Sequence, residues 1–233
     1  MNAHVKLPQH IKVHDDLVQG SDEWLAARRG LLTASEMRLI LTPTLKPANN
    51  DKTRAHVYEI AAQRISEYVE PTFIGDEMLR GQEDEIWARQ EYAKHYSPVQ
   101  EVGFITNSRW GFTIGCSPDG LVGADGGIEI KSRRQKYQVE TIVQGSVPPE
   151  FRLQIETCLL VTERSWWDFI SYSGGLPMVV IRAEPDPEIQ EAILAAAAAF
   201  EDRVAEVIGD YQYNQKHLRL TPTERRVYED LRI

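Results

Sequence analysis

Residues 116–131 read C-S-P-D-G-L-V-G-A-D-G-G-I-E-I-K, and their pattern decides the fold. The end of the stretch, I-E-I-K, alternates apolar and polar side chains with the two-residue period of a strand, so Glu129 and Lys131 share one face while Ile128 and Ile130 point the other way, toward a core. Upstream, Asp119 stands between Pro118, which stiffens the chain before it, and Gly120, which frees the chain after it, so its carboxylate can turn toward the neighbouring strand. Two carboxylates with room for water suit Mg²⁺, which takes few protein oxygens and keeps part of its hydration shell for substrate phosphate. A lysine beside them orients or helps deprotonate an attacking water and balances charge on a phosphorane-like transition state. Each part is common alone: E-x-K on an amphipathic strand is usually a solvated ion pair, and P-D-G is a good turn former. Together they make a minimal apparatus for metal-assisted phosphodiester hydrolysis.

Outward from this stretch, V-G-F-I-T (102–106), R-W-G-F-T-I-G-C (109–116) and G-L-V-G (120–123) are short β-rich runs broken by turn residues, which predicts an antiparallel meander ending in I-E-I-K. Before them, Val57, Ile60, Ala61, Ile65 and Tyr68 repeat at helical spacing, and a further helix is expected over 81–95, carrying Glu85 and Trp87. Nearer the start, Ser21 caps a helix that Gly30 stops, and Thr33 with Glu36 has capping-box spacing for a second. After the stretch, a helix through 151–162, strands over 166–172 and 178–183, and an alanine-rich helix over 187–208 are expected. Thr221, Pro222 and Glu224 predict a separate terminal helix. The expected architecture is α/β (α+β): a single domain over 1–210 with amino-terminal helices at 20–42, a catalytic core at 53–183 and the long helix at 187–208, followed by an extension over 211–233.

Composition restricts the function classes. A formal charge of −9 counts against a surface wholly coated with DNA, because such affinity comes mainly from Lys and Arg displacing counterions, so any nucleic-acid contact must be local, as in a basic groove or channel within an acidic exterior. Cys116 and Cys158 have no zinc-ligand spacing and read as small buried apolar groups, which suits a reducing cytoplasm. The start, M-N-A-H-V-K-L-P-Q-H, lacks the apolar core of a signal peptide, and no run is long and apolar enough to span a bilayer. Trp24, Trp87, Trp166 and Trp167 read as core or interface aromatics.

S-P-D-G followed by E-I-K resembles the PD-(D/E)xK nuclease signature in the version of the lambda exonuclease and YqaJ-like viral recombinase family. W-L-A-A-R-R-G-L-L-T-A-S-E (24–36), G-Q-E-D-E (81–85) and L-Q-I-E (153–156) are similar to further blocks of that family in the same order, so the resemblance covers roughly 19–181. It implies a nuclease core with a central mixed sheet flanked by helices, degrading the 5′-ended strand of linear duplex DNA processively, as a ring-shaped homotrimer. It also implies Mg²⁺, two ions with Mn²⁺ as a substitute, a single-strand annealing protein as partner, and a phage or prophage protein at work in the bacterial cytoplasm. By position, Asp119 and Glu129 correspond to metal ligands, the Ile130 carbonyl to a further one, Glu85 to a neighbour of the metals and Lys131 to the catalytic lysine. Arg28, Ser35, Ser117 and Gln154 correspond to positions near the terminal phosphate. Glu156 departs from the family by replacing its second glutamine. Two alternatives share these features: a restriction- or repair-type endonuclease, which would also cut circles, and a DNA-end-binding protein without activity, against which the intact Asp119, Glu129 and Lys131 argue.

Overall fold

A computed structural model describes residues 8–71 and 75–225. After β1 (Ile11–His14), the Ser21 side chain accepts the Trp24 N–H and starts α1 (Asp22–Arg28), with Asp22 and Glu23 at its positive end. Gly30, at φ 68°, turns the chain left-handed into β2 (Leu32–Thr33). Thr33 and Glu36 then close a capping box around a 3₁₀ turn (Ala34–Glu36), which leads into α2 (Met37–Ile40). Two long helices follow, α3 (Asp51–Ser66), capped by Asn50, and α4 (Asp76–His95). The remaining elements are β3 (Phe104–Asn107), β4 (Ile114–Cys116), β5 (Gly120–Val122), β6 (Gly126–Ser132), α5 (Gln135–Gln144), α6 (Pro149–Thr162), β7 (Trp166–Tyr172), β8 (Val179–Ala183) and α7 (Pro187–Gln215).

The α/β class is as expected, with mixed strand pairing flanked by helices, but the strands form two sheets of four, ordered β1-β3-β4-β2 and β5-β6-β7-β8. The expected meander therefore breaks in its middle. β3 and β4 pair antiparallel, as do β5 and β6, but β4 and β5 belong to different sheets. The break falls at Ser117-Pro118-Asp119, where proline has no N–H to continue a ladder. β6 pairs in parallel with β7, and that needs a crossover, supplied by α5 and α6.

Side-chain alternation along β6 and β7 buries the second sheet on both faces. Trp167 and Phe169 enter the larger core with Ile155 and Leu159 of α6 and Ile193 and Phe200 of α7. Ile128, Ile130 and Ile170 pack on the opposite face with Ala88 and Tyr92 of α4. Tyr92 donates its hydroxyl to Asp168 Oδ2 at 2.7 Å, and Arg182 bonds both oxygens of the same carboxylate, so the polar group on this face is fully paired. Of the tryptophans read as core or interface aromatics, Trp167 is fully buried and Trp87 is exposed.

α7 runs seven residues beyond the expected end at 208, to Gln215. Thr221 to Arg225 are irregular, and the rest of the expected terminal helix, 226–233, lies outside the described residues. Among the described residues no helix is long and apolar enough to cross a membrane.

Candidate active site

The site begins where β5 stops covering β6. Pairing runs only from Val122 opposite Gly126 to Gly120 opposite Ile128, so the β6 edge beyond Ile128 has no strand beside it. Asp119, immediately before β5, takes that place, and its Oδ2 accepts the Ile130 N–H at 2.5 Å. In a strand the N–H and C=O of one residue point to the same edge, so the Ile130 carbonyl faces Asp119 as well. Gly120 is needed here for close approach and not for an unusual φ, since a Cβ on it would lie 2.1 Å from Val99 Cγ1.

Glu129 is 2% exposed and turned to the opposite face from Ile128 and Ile130. Its Oε1 receives Lys131 Nζ at 2.6 Å and the Gln154 amide of α6 at 2.7 Å. Its Oε2 is buried with no partner. Glu85, on α4, is held by Arg89, whose other nitrogen reaches Glu101 at 2.5 Å. Lys131 Nζ also lies 5.3 Å over the Phe151 ring, which keeps the ammonium on this face.

The titration behaviour follows from crowding. Burial raises the Asp119 carboxyl well above the usual range, and the charges of Glu129 and Glu85 push it the same way, against Lys131 and the Ile130 N–H. Burial also raises Glu85, with Glu129 adding to it and Arg89 opposing. Burial works to lower the Lys131 ammonium, yet Glu129 and Asp119 outweigh it and hold that group above the ordinary lysine value. Lys131 is therefore a firmly held cation at neutral pH.

Among the described residues no three His, Cys, Asp or Glu groups are gathered tightly enough to hold an ion as they stand. The case for a cation rests on donor chemistry: a buried carboxylate oxygen without a partner, a second carboxylate raised by burial and by its acidic neighbours, and a strand carbonyl at the same edge. These are hard oxygen donors, and they fit Mg²⁺ or Mn²⁺ and not a thiolate-seeking metal.

The two distant segments of the expected phosphate pocket meet. Arg28 Nη1 donates to Ser117 Oγ at 3.0 Å and Nη2 to Thr33 Oγ1 at 3.1 Å, while its guanidinium stacks 4.3 Å over Trp24. Trp24 Nε1 donates to the same Ser117 oxygen at 3.1 Å, and the Ser35 hydroxyl lies 3.4 Å from Thr33 Oγ1. Burial lowers the Arg28 value, though an arginine so placed stays charged. A cleft of about 890 Å³ is common to this pocket and the carboxylates, with Arg28, Thr33, Glu85 and Asp119 among its walls.

The Gln154 amide serves Glu129, and among the described residues no hydrogen bond joins it to Arg28, Ser35 or Ser117. Glu156, the departure from the family pattern, points away from the site. It is fully buried, pairs with Arg152 at 2.6 Å, and accepts the Asp186 N–H at the start of α7 at 3.1 Å, so it ties α6 to α7.

Residues 23–165 match the model of the YqaJ-like viral recombinase domain. The chain belongs to that family. The YqaJ-like chain is 31% identical to an alkaline exonuclease (LHK-Exo) from Laribacter hongkongensis, with a TM-score of 0.76 over 85% of this chain and 100% of that one. A structure of LHK-Exo in complex with dAMP matches at 32% identity and a TM-score of 0.77, with the same coverage. A phage-related exonuclease from Haemophilus somnus 129PT shares the fold at 12% identity and a TM-score of 0.55, over 78% of this chain and 96% of that one. No curated protein sequence matches the chain.

Sequence reasoning read Thr33 only as a helix cap and passed over Arg89; the signals were the hydroxyl in T-A-S-E and the i, i+4 spacing of Glu85 and Arg89. The raised carboxyls carry a measurable consequence. A carboxyl whose folded value lies above its unfolded one contributes stability at low pH, and that contribution is lost as pH rises from the ordinary value near 3.9 through the raised one. A bound cation removes the repulsion. Millimolar Mg²⁺ is therefore expected to raise the thermal midpoint more near pH 8 than near pH 5, and an equal rise at both, followed by calorimetry, would separate the cation from these carboxylates.

Proposed function

We propose that this YqaJ-like protein is a Mg²⁺-dependent DNA exonuclease that digests the 5′-ended strand of linear duplex DNA, processively, toward the 3′ end. The observation that carries the reading is that Arg28, held by the Ser117 and Thr33 hydroxyls, and the Asp119 and Glu85 carboxylates line one and the same cleft. A 5′-terminal phosphate seated at Arg28 leaves the first internucleotide linkage to reach the carboxylates. The homotrimer and the annealing partner are carried over from the family resemblance.

Asp119, Glu129 and the Ile130 carbonyl would hold the metal, with Glu85 at the rim of the site. A divalent ion bound there supplies a Lewis acid for the phosphodiester and lowers the pKa of coordinated water. The chain's own groups do the rest. Gln154 and Lys131 fix the Glu129 carboxylate from one side, leaving Oε2 directed for binding. Lys131 keeps its proton on Nζ, where it orients the attacking water and balances charge building on the non-bridging oxygens. Trp24 and Phe104 shield Arg28 from water on its stacked side, which strengthens its hold on a phosphate.

Digestion of linear and covalently closed circular duplexes, with each end labelled in turn and with or without Mg²⁺, tests the proposal. The expected result is Mg²⁺-dependent release of the 5′ label from linear DNA with closed circles untouched. Rapid nicking of circles would make the protein an endonuclease, first release of the 3′ label would reverse the polarity, and binding without digestion would make it an end-binding protein.

A further inference from the structure

The run S-R-R-Q-K at 132–136 directly follows Lys131, and the hydrolytic reading uses none of it. Parallel pairing brings β6 and β7 to the same end of their sheet, Ser132 opposite Tyr172, and the Arg133 N–H continues the ladder to the Tyr172 carbonyl at 2.7 Å. There the two chains part, Arg134 becoming the N-cap of α5 while Ser173 leaves β7. A cavity of about 630 Å³ opens at this point, lined by Arg80, Asp84, Arg133, Arg134, Gln135 and Ser173.

Three arginines line this cavity in a chain whose overall charge is −9, each with an acid beside it: Arg80 with Asp84, Arg133 with Glu150 and Arg134 with Glu77. Asp84 is engaged twice: its Oδ2 accepts the Ser132 hydroxyl at 2.5 Å and has Arg80 at 4.0 Å. Arg133 decides the reading. Its side chain is only 10% exposed, stacked 5.0 Å from both Tyr137 and Phe151, with one nitrogen 3.3 Å from Glu150 and its Nε buried without a partner. Leaving a buried cationic donor unpaired is costly, so the position makes sense when an acceptor arrives. α5, ten residues long, also begins without a side-chain cap, which leaves first-turn N–H groups for an anion.

We propose that Arg80, Arg133 and Arg134, with the uncapped start of α5, hold a backbone phosphate of the strand being digested, on the 3′ side of the scissile linkage. Asp119 and Glu85 line the cleft that contains Arg28, whereas Asp84, next to Glu85 on α4, and Arg133, just past the end of β6, line this cavity. Two strand residues, roughly 6.6 Å, separate Arg133 from Lys131, so a phosphate bound there lies within a few nucleotides of the one attacked. The assignment to the 3′ side rests on the polarity proposed above; the phosphate site itself does not. Such a grip keeps the strand in place after each nucleotide leaves.

The test uses duplexes with a 5′-phosphate and either natural linkages or one uncharged methylphosphonate at successive positions near that end. Binding is measured by fluorescence anisotropy across salt concentrations without divalent metal, for the wild-type protein, R133Q and the double variant R80Q/R134Q. Wild type is expected to lose about tenfold in affinity at one neutral position, as suits a charged hydrogen bond, and the variants to lose little there. The variants are also expected to show a shallower salt dependence, by roughly 0.9 in the logarithmic slope for each phosphate released. Arg80 and Arg134 have side chains 46% and 62% exposed, so the double variant decides the matter should R133Q not fold. Unchanged slopes, with the same loss on the neutral linkage as wild type, would overturn the subsite. Failure of the nuclease reading would show separately, in the digestion of linear and circular DNA by the wild-type protein.

Discussion

Asp119→Asn is expected to lower DNA hydrolysis by roughly 10³-fold while leaving the metal-free protein at least as stable as before. The substitution keeps the shape, and the Asn carbonyl oxygen can still accept the Ile130 N–H that Asp119 Oδ2 now accepts at 2.5 Å. It removes a charge that burial and the neighbouring Glu129 and Glu85 already disfavour, so the fold loses a repulsion and the site loses its proposed metal oxygen. Lys131→Ala should reduce the rate comparably but act differently on stability. Glu129, 2% exposed, would lose the Lys131 ammonium that lies at 2.6 Å, and breaking such a buried pair costs up to about 3–5 kcal/mol. The Mg²⁺-supported rate and the thermal midpoint of each variant separate the two effects. A near-wild-type rate in Asp119→Asn would remove Asp119 from the chemistry, and a large fall in its midpoint would mean that the carboxylate is structural.

What the sequence made legible, and what it hid, follows from the range of the interactions concerned. Alternation in I-E-I-K gave the two faces of β6 correctly because burial on one face is written into neighbouring residues. Ser21, Gly30 and the Thr33–Glu36 box were readable for the same reason, since a cap is a contact over three residues. α5 was not, because Val139, Ile142 and Val143 are exposed and the helix is docked instead by Gln138, which bonds the Ser171 and Pro177 carbonyls. The division into two sheets was hidden as well, because strand partners are chosen across the whole fold and not by local propensity. β1 has only four residues and offers too little alternation to detect. In the site, Asp119, Glu129 and Lys131 lie within one short stretch and could be read together, whereas the meeting of Arg28 with Ser117, 89 positions away, depends on α1 crossing the end of the first sheet. Family resemblance supplied that link in advance; periodicity could not.

Arg28→Ala is expected to slow digestion of 5′-phosphorylated ends by roughly 10- to 100-fold relative to 5′-hydroxyl ends, the range that a charged hydrogen bond of about 1.5 to 3 kcal/mol allows. The guanidinium is already fixed, with one nitrogen on Ser117 and the other on Thr33, and its plane on Trp24. Little ordering remains to be done when a phosphate arrives, and the planar fork can offer it two parallel bonds. The same packing means that alanine will also loosen the pocket, since Trp24 and Phe104 both lose a stacked neighbour. For that reason the ratio of rates on the two kinds of end is the quantity to read, because damage to folding slows both alike. Arg28→Lys should fall between, keeping the charge while losing the fork. Ser117, two residues before Asp119, joins the two parts of the proposed site: its hydroxyl accepts from Arg28, and the Asp119 carboxylate that follows it accepts the Ile130 N–H at the open edge of β6. Ser117→Ala should therefore reduce the same ratio by a smaller factor, while Mg²⁺ still raises the thermal midpoint. Equal slowing of both ends by Arg28→Ala would place the residue in general DNA binding or folding, and no slowing of either would return it to an ordinary half-buried arginine.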